Sequence, residues 1–359
     1  MSIMKRKSRS IPARLPLPRQ LGSRLSSSIP NVLRRLGRLF HTSDAGAPAC
    51  CRLTRSEWSK PATCRRSGLL AFPAGYGVFG LAALATFLLI ATGYGSPHNP
   101  DTDWFRDAGW GVFVHYLWDV QNVGKRENAQ GKPPTTWDAL VHEFDTEKFA
   151  EQVKETGAPY VFFTMMQRTR YLVAPNATYD KLTGYKPSEA CSTRDLVADL
   201  HRSLDKRGIK LMLYWTGDGP REDAQAPKGL GGWDGQVSDQ YVNHWADVVA
   251  EYSRRYGDRV KGWWVDGCYA HIGYNEPRWR ILAKALKAGN PRAIIALNNP
   301  AMSYANSSTD CDDFTTGEVN DFTDIPEDRW RDGKQFHVLS YLGGDWGKPG
   351  CRYAPLMFQ

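Results

Sequence analysis

From about residue 100 to the end of the chain, short hydrophobic runs alternate with stretches that have helical periodicity. Strand followed by helix, repeated this often, is the pattern of a parallel sheet with helices packed outside it. The hydrophobic runs predict strands at 110–118, 159–166, 209–215, 261–267, 292–299, 312–319 and 335–343. The periodic stretches between them predict helices at 144–157, 192–208, 238–257 and 276–290.

Local signals mark the ends of the first two helices. Gly157 is expected to end the first, because glycine readily adopts the left-handed conformation that terminates a helix. Ser192 or Thr193 is the expected N-cap of the second helix, and Gly208 its stop. Three leucines share one face of this second helix and are expected to pack on the sheet: Leu196, Leu200 and Leu204.

Two architectures fit the strand and helix rhythm. A doubly wound sheet usually carries a glycine-rich phosphate-binding turn after its first strand, whereas the first strand here ends in HYLWDV. We therefore expect a (β/α)8-type barrel over residues 98–359. The pattern predicts seven strands where a closed barrel needs eight, so the last strand and helix are expected to be missing from this chain.

The first 97 residues have a different composition. Residues 1–66 are rich in Arg, Ser and Pro, and hold fifteen Lys and Arg against two acids, so we expect a disordered basic tail. Residues 67–97 contain no charged side chain, which is typical of a signal anchor that spans the membrane or of a cleaved signal peptide. A mitochondrial transit peptide and a buried core helix are the alternatives. Arg65 and Arg66 precede the apolar segment, so the domain after it is expected to be extracytoplasmic, either secreted or membrane-anchored.

The charge of the predicted domain differs in sign from that of the whole chain. The chain carries +8 and residues 1–66 carry +13, so residues 67–359 carry −5. The basic character belongs to the tail, and the folded part is therefore not expected to bind nucleic acid.

Two further features agree with export. The sequons that begin at Asn176 and Asn306 lie in turn-rich stretches, where a glycan is expected to be accepted. Four cysteines follow the apolar segment, an even number that is compatible with one or two disulfides, although spacing alone does not assign the pairs. They are Cys191, Cys268, Cys311 and Cys351.

Polar side chains collect where the predicted strands end, which is where a barrel builds its chemistry. Asp266 stands in the hydrophobic stretch KGWWVDGCY, a setting that is costly for a carboxylate unless it is paired or used. With Glu318 it would supply the nucleophile and the proton donor of a glycosidase, and Trp263 and Trp264 would offer flat faces to a sugar ring. The other groups at strand ends are His115, Gln167, the stretch from Tyr214 to Asp218, and Asn298.

Each acid also has a purely structural alternative. Asp266 would then cap the following helix or pair with a core arginine, and Glu318 would belong to an ordinary solvated surface in an acidic loop.

Five segments follow one another in a recognisable order: WFRDAGWGVFVHY, GAPYVFFTMMQRTRY, STRDLVADLHRSLDKRGIKLMLYW, GWWVDG and DDFTTGEVN. Together they resemble the α-L-fucosidase family of retaining glycoside hydrolases, over roughly residues 103–350. The resemblance implies that Asp266 occupies the place of the family's nucleophile and Glu318 that of the acid/base. It also places His115 on a pocket histidine near the end of the first strand, and Trp137 on a pocket tryptophan.

Some positions depart from the family's pattern. The His-His-Asp-Gly-Phe segment that holds fucose hydroxyls in the family is Gln-Arg-Thr-Arg-Tyr at 167–171, and we expect Gln167 and Tyr171 to line the site. Thr136 stands where a glutamate normally precedes the pocket tryptophan, and Asn298 begins a turn where an arginine is expected. The two predicted catalytic acids match the family's pattern better than the positions that hold fucose hydroxyls in the family.

The sequence therefore predicts a retaining glycoside hydrolase that cleaves terminal α-L-fucosyl or related deoxy-sugar linkages by double displacement, with no cofactor and no metal. Its expected partners are a glycan or glycoside substrate and, if the apolar segment is uncleaved, the membrane. The alternatives are a membrane-anchored or secreted glycan-binding pseudoenzyme without turnover, and a doubly wound export-pathway protein with no sugar role.

Overall fold

The computed structural model describes residues 99–121, 136–300, 304–319, 324, 327–343 and 346. The predicted basic tail at 1–66 and the apolar segment at 67–97 lie outside these residues. In the described part of the chain, no helix has both the length and the apolar character that a membrane span requires.

Five strands form one parallel sheet in the order β1-β2-β3-β4-β5. Their neighbours in the sheet are also their neighbours in sequence, which confirms the first five predicted strands and the α/β class with a parallel sheet. The bounds are β1 Val112–Val114, β2 Tyr160–Thr164, β3 Lys210–Thr216, β4 Val260–Asp266 and β5 Ile294–Leu297.

Eight α-helices lie among the described residues. They are α1 Asp103–Ala108, α2 Trp137–His142, α3 Thr146–Thr156, α4 Ala177–Thr183, α5 Leu196–Asp205, α6 Ala226–Leu230, α7 Asp239–Tyr256 and α8 Glu276–Leu286. The four predicted helices are confirmed as α3, α5, α7 and α8. The other four are 5 to 7 residues long, too short to show a helical period in the sequence.

The start of α5 corrects one expectation. Its N-cap is Asp195, whose carboxylate accepts a hydrogen bond from the backbone N of Ala198 at 2.9 Å. The hydroxyls of Ser192 and Thr193, the predicted caps, instead donate to Oδ1 of Asp138 at 2.8 and 3.1 Å. They therefore tie the loop before α5 to helix α2.

The predicted sixth and seventh strands are wrong as regular strands. Segment 312–319 reaches β5 mainly through carboxylates, because Asp312 and Asp313 side chains accept from the backbone N of Leu297 and Ile295 at 2.8 and 2.9 Å. It then runs parallel to segment 335–339, with isolated bridges from Phe314 to Gln335 and from Glu318 to Leu339. The regular strands in this part are a short antiparallel pair, β6 Trp330–Arg331 and β7 Lys334–Gln335. Closure into a barrel stays a prediction.

Alternate residues of the parallel strands meet in one interior cluster. Side chains two positions apart on a strand share a face, so Tyr160 with Phe162 and Met212 with Tyr214 point the same way. Trp264 of β4 lies in this cluster, two residues before Asp266 and on the same face of the strand. The other members are Phe105, Ile294, Ala296, Phe314 and Leu339.

Two features that agreed with export find no support in the described structure. Asn176, of the first sequon, is buried, and its amide donates to the carbonyl of Val248 at 3.0 Å while its oxygen caps α4. Because the side chain is fully buried, that nitrogen is not accessible to a glycan. Cys191, Cys268 and Cys311 are free thiols, and Cys351 lies outside the described residues.

Candidate active site

Asp266 is the last residue of β4, at the carboxyl edge of the sheet. The parallel register places it beside Thr216 of β3, and the backbone N of Gly217 donates to its carbonyl at 2.6 Å. On the other side, the backbone N of Asn298 donates to the carbonyl of Val265 at 2.7 Å. Gly267 has φ +66, a conformation that turns the chain sharply out of the strand. The ends of β3, β4 and β5 thus bring their polar side chains to one place.

Four side chains and one backbone amide hold the Asp266 carboxylate. Oδ2 accepts from the Tyr214 hydroxyl at 2.9 Å and from Nε2 of Gln167 at 3.4 Å. Oδ1 accepts from the Tyr269 hydroxyl at 2.7 Å, from the backbone N of Gly267 at 2.8 Å and from Nδ2 of Asn298 at 3.3 Å. All five groups donate hydrogen bonds. An ionised carboxylate can accept from all of them, whereas a protonated carboxyl group also carries a donor and can accept from only some of them.

Asn298 joins the two predicted catalytic acids. Its Nδ2 lies 3.3 Å from Oδ1 of Asp266 and 2.6 Å from Oε2 of Glu318. These two oxygens are therefore at most about 5.9 Å apart, the sum of the two lengths. Carboxyl groups lie about 5–5.5 Å apart in retaining glycosidases and about 6.5–9.5 Å apart in inverting ones. The upper limit of about 5.9 Å for this pair of oxygens is compatible with the retaining spacing.

The two acids differ in their surroundings. Burial raises the pKa of Glu318 to about 7, the negative charge of Asp266 adds to this rise, and the hydrogen bond from Asn298 opposes it. Glu318 therefore carries its proton up to about neutral pH. Two neighbouring carboxyl groups whose environments differ in this way are the equipment for separate acid and nucleophile roles.

His115, just after β1, lies against the same group of side chains. Its ring makes an edge contact with the Tyr214 ring at 5.1 Å between centroids. Burial lowers the pKa of His115 to about 4, although the charges of Asp266 and Asp119 act in the opposite direction. The imidazole is therefore neutral at pH 7, and its Nδ1 is buried without a hydrogen-bond partner among the described residues.

Trp264 is not open to a sugar. It is 2% exposed, its indole N–H donates to the carbonyl of Thr316 at 2.9 Å, and its ring stacks on Tyr214 with 5.7 Å between centroids. Because it stands two residues before Asp266 on the same face of β4, it forms the layer beneath the carboxylate. Trp263 points to the opposite face and is 1% exposed. Neither tryptophan offers a free ring face, so Trp264 supports the site from below.

Trp137 and Tyr171 are not brought to the carboxylates. They line a separate cavity of about 560 Å³, whose lining includes neither Asp266 nor Glu318. Trp137 is 2% exposed and donates from its indole N–H to the carbonyl of Leu172 at 2.8 Å. Tyr171 stacks on Trp118 with 4.3 Å between ring centroids.

Tyr269 was missed from the sequence, and Asp218 was placed among the strand-end residues without a role in the site. Tyr269 donates to Asp266 from the loop after β4, and its position three residues beyond the strand-end acid was the available signal. Asp218, after β3, is a third carboxyl group, bound by the Thr216 hydroxyl and the Arg221 guanidinium. Burial raises the pKa of Asp218 to about 6. Its carboxyl packs so closely on Gly267 that a Cβ there would come within 2.6 Å of it.

The described residues contain no group of three or more His, Cys, Asp or Glu side chains arranged to hold a metal ion. The site as described is built from carboxyl, hydroxyl, amide and imidazole groups.

Replacing Asn298 with leucine should raise the pKa of Glu318 further. The substitution removes a donor that favours the ionised carboxylate, while the similar volume of leucine keeps water out. We expect the alkaline limb of kcat/KM to move to higher pH by about one unit, measured as a pH–rate profile. The control is Asn299→Ala, since the Asn299 side chain accepts from the backbone N of Ala270 and contacts neither acid in the described structure. If the alkaline limb of Asn298→Leu stays at the same pH as that of Asn299→Ala, the hydrogen bond from Asn298 does not lower the pKa of Glu318.

Comparison with known proteins gives one family match and several similar folds. The family model described as alpha-L-fucosidase matches residues 135–342. An alpha-L-fucosidase GH29 from Bacteroides thetaiotaomicron is 18% identical, with a TM-score of 0.41 over 55% of this chain and 47% of that chain. A bacterial fucosidase bound to a monovalent iminocyclitol inhibitor is 18% identical, with a TM-score of 0.40 over 55% and 48%.

An endo-fucoidan hydrolase from glycoside hydrolase family 107 is also 18% identical, with a TM-score of 0.44 over 61% of this chain and 44% of that chain. This chain thus matches about half of the length of each of these structures. No curated protein sequence matches it at a significant level.

Proposed function

Because this chain belongs to the alpha-L-fucosidase family, we propose that it is a retaining glycoside hydrolase acting on terminal α-L-fucosyl or related deoxy-sugar linkages. The observation that carries the proposal is the shared amide of Asn298, which bounds the separation of the Asp266 and Glu318 oxygens at about 5.9 Å. That limit is compatible with the short carboxyl spacing of retaining enzymes.

In the first step, an Asp266 carboxylate oxygen attacks the anomeric carbon of the sugar. The bond from this carbon to the leaving oxygen breaks, its electron pair stays on that oxygen, and the Glu318 carboxyl supplies the proton. The product is a glycosyl ester on Asp266 and a free alcohol. Glu318 is suited to this role because its raised pKa of about 7 keeps the proton on the carboxyl below neutral pH.

In the second step, Glu318 is an ionised base. It takes a proton from water as the water oxygen attacks the anomeric carbon from the side that the alcohol left, and the ester bond to Asp266 breaks. Two inversions give net retention. Tyr214, Tyr269 and Gln167 fix the rotamer of Asp266, so that attack starts from a prepared geometry.

The stereochemistry of the first product tests this proposal. An aryl α-L-fucoside is hydrolysed in an NMR tube, and the anomeric proton signal of the free sugar is followed before mutarotation. The α anomer should appear first. Initial formation of the β anomer would show inversion and overturn the mechanism, and no turnover of aryl fucoside or of the related deoxy-sugar glycosides would overturn the enzyme assignment.

A further inference from the structure

The amino edge of the sheet, where the parallel strands begin, takes no part in the proposed glycoside cleavage. Each strand is reached there through the end of a helix and a loop, and contacts between neighbouring loops tie them together. Nζ of Lys154 donates to the carbonyl of Arg207 at 3.2 Å, and the amide of Asn290 donates to the carbonyl of Val260 at 3.1 Å. We call these segments the amino-edge loops, and they are residues 106–111, 154–159, 205–210, 254–261 and 287–293.

The two edges of the sheet differ in charge. The amino-edge loops hold eleven Lys and Arg and four acids, although residues 67–359 as a whole carry −5. The loops that leave the first four strands at the carboxyl edge hold three Arg and five acids, over residues 115–121, 167–176, 217–225 and 266–275. The amino edge is therefore the basic edge of this sheet, and the carboxyl edge is the acidic one.

Part of this positive charge is not neutralised by neighbouring acids. Six of the eleven cations form ion pairs with carboxylates. The other five make no ion pair among the described residues, and they are Lys154, Lys210, Arg254, Arg259 and Lys261. Three of these five side chains, Lys154, Arg254 and Arg259, are exposed, so their charges face solvent. A surface of this kind attracts an anionic partner.

An exposed tryptophan lies on the same edge. Trp110, two residues before β1, is 51% exposed, and a Cβ on Gly157 would come within 3.9 Å of its ring. The ring therefore stands beside the loop that contains Lys154. A single exposed apolar side chain is ordinary on a protein surface, but an indole among Lys and Arg side chains is typical of the interface between membrane and water.

The chain also enters the described structure at this edge. Nδ2 of Asn99 donates to Oδ1 of Asp313 at 2.7 Å, and Asp101 pairs with Arg292, just before β5, at 2.8 Å. The uncharged segment at 67–97 ends two residues before Asn99, a length of chain that spans at most roughly 7 Å. The Debye length at physiological ionic strength is about 8 Å. If that segment is held in a bilayer, the lipid headgroups therefore lie within electrostatic reach of the amino-edge loops.

We propose that the amino edge docks on a membrane surface that carries anionic phospholipid headgroups. The five cations without an ion pair contact the headgroup phosphates, and Trp110 enters the interface between headgroups and acyl chains. Asp266 lies six residues after Val260 on β4, a rise of roughly 20 Å, so the catalytic site faces away from the bilayer. The exposed indole and the nearby apolar segment favour a bilayer over a nucleic acid or a sulfated polysaccharide, which a basic surface attracts without either feature.

The test places a photoreactive residue, p-benzoylphenylalanine, at position 110 of the full chain. The matched control carries it at position 120, because Val120 is 47% exposed and follows β1 at the carboxyl edge. Each chain is reconstituted with vesicles of phosphatidylglycerol and phosphatidylcholine in equal parts, irradiated, and analysed by mass spectrometry for a covalent lipid adduct. The adduct should form at position 110 and be absent at position 120. Because residues 1–66 are basic as well, the position of the adduct is measured rather than the bound fraction of the chain.

A charge variant tests whether the cations cause the contact. Lys154→Gln, Arg254→Gln and Arg259→Gln, combined with the photoreactive residue at position 110, should lower the adduct yield by about tenfold. Vesicles of phosphatidylcholine alone should lower the yield of the unaltered edge in the same way. The control removes the same charge from exposed positions in the segments that follow β2 and β3 and should keep the yield, through Lys181→Gln, Lys186→Gln and Lys228→Gln.

Equal adducts at positions 110 and 120 would overturn the proposal, as would a yield at position 110 that neither the charge variant nor the neutral vesicles lower. Binding of heparin or RNA that the charge variant weakens, without any lipid adduct, would assign the edge to another polyanion and overturn the membrane assignment. Should the chain altered at position 110 fail to fold, judged by circular dichroism, position 107 takes its place, because the Asp107 side chain is 63% exposed on the same loop. No step of the test uses turnover, so its outcome is independent of the proposed function.

Discussion

Asp266→Ala lowers kcat for an aryl α-L-fucoside on the order of 10⁴-fold, the largest loss expected from any substitution in this chain. The variant lacks the oxygen that attacks the anomeric carbon. None of the four side chains that hydrogen-bond to Asp266 supplies a nucleophile in its position. Sodium azide should restore part of the activity, because the truncated side chain leaves room for a small anion on that face of the sugar. The product is then β-fucosyl azide, identified by NMR.

The control for this variant is Asp258→Ala. Asp258 is exposed and lies just before β4, at the opposite end of the same strand. Its loss should leave kcat within about twofold of the wild-type value, as is usual for an exposed side chain away from the site. A loss smaller than tenfold in Asp266→Ala, or azide rescue that yields the α anomer, would rule out Asp266 as the nucleophile.

Glu318→Gln removes the proton donor and should change the pH dependence as well as the rate. In the wild type, the Glu318 pKa of about 7 places the alkaline limb of kcat/KM near neutral pH, since the carboxyl protonates the leaving group only below that value. The glutamine variant should lose this limb and about 10²- to 10⁴-fold in rate on a saccharide with a poor leaving group. The loss in the first step should be smaller for 4-nitrophenol, which leaves without a proton.

The measurement is a set of pH–rate profiles with both leaving groups. Glu143→Gln, at an exposed acid that follows α2, serves as the control and should keep the wild-type limb. An alkaline limb that persists near pH 7 in Glu318→Gln would assign the proton donor to another group, for which Asp218, with its raised pKa of about 6, is a candidate.

The parallel sheet could be predicted because its strands are buried on both faces and read as continuous hydrophobic runs between strongly periodic helices. The carboxyl ends of such strands meet at one edge, so Asp266, Asn298 and Tyr214 could be placed together from their positions alone. The structure brings Glu318 and Gln167 to the same place.

The remaining part of the sheet could not be predicted, because side chains take over part of the hydrogen bonding to β5 there. Asp312 and Asp313 accept hydrogen bonds from β5 that a neighbouring strand would normally accept through its carbonyls. Segment 312–319 holds only Phe314 and Val319 as large apolar residues, and the sequence does not show that side-chain carboxylates are the acceptors. The four short helices were also not predicted from the sequence, because one or two turns hold too few residues to show a helical period.

The position of Trp264 was available in the sequence. Residues two apart on a strand point to the same face, so a tryptophan two residues before a strand-end acid lies one layer deeper in the interior. Trp137 and Tyr171 are different, because they lie on a short helix and in a loop whose directions no periodicity reports. Their side chains line the cavity of about 560 Å³, which only the three-dimensional structure reveals.

The alkylation rate of the free Cys268 thiol can be used to measure how often the loop after β4 opens. Cys268 lies between Asp266 and Tyr269 in the sequence, and its side chain is fully buried. Its backbone N donates to the carbonyl of Asn298 at 3.1 Å. Burial also raises the pKa of this thiol, which keeps it in the unreactive protonated form. An alkylating reagent therefore modifies Cys268 only when the loop transiently detaches, and the rate of its modification counts those openings.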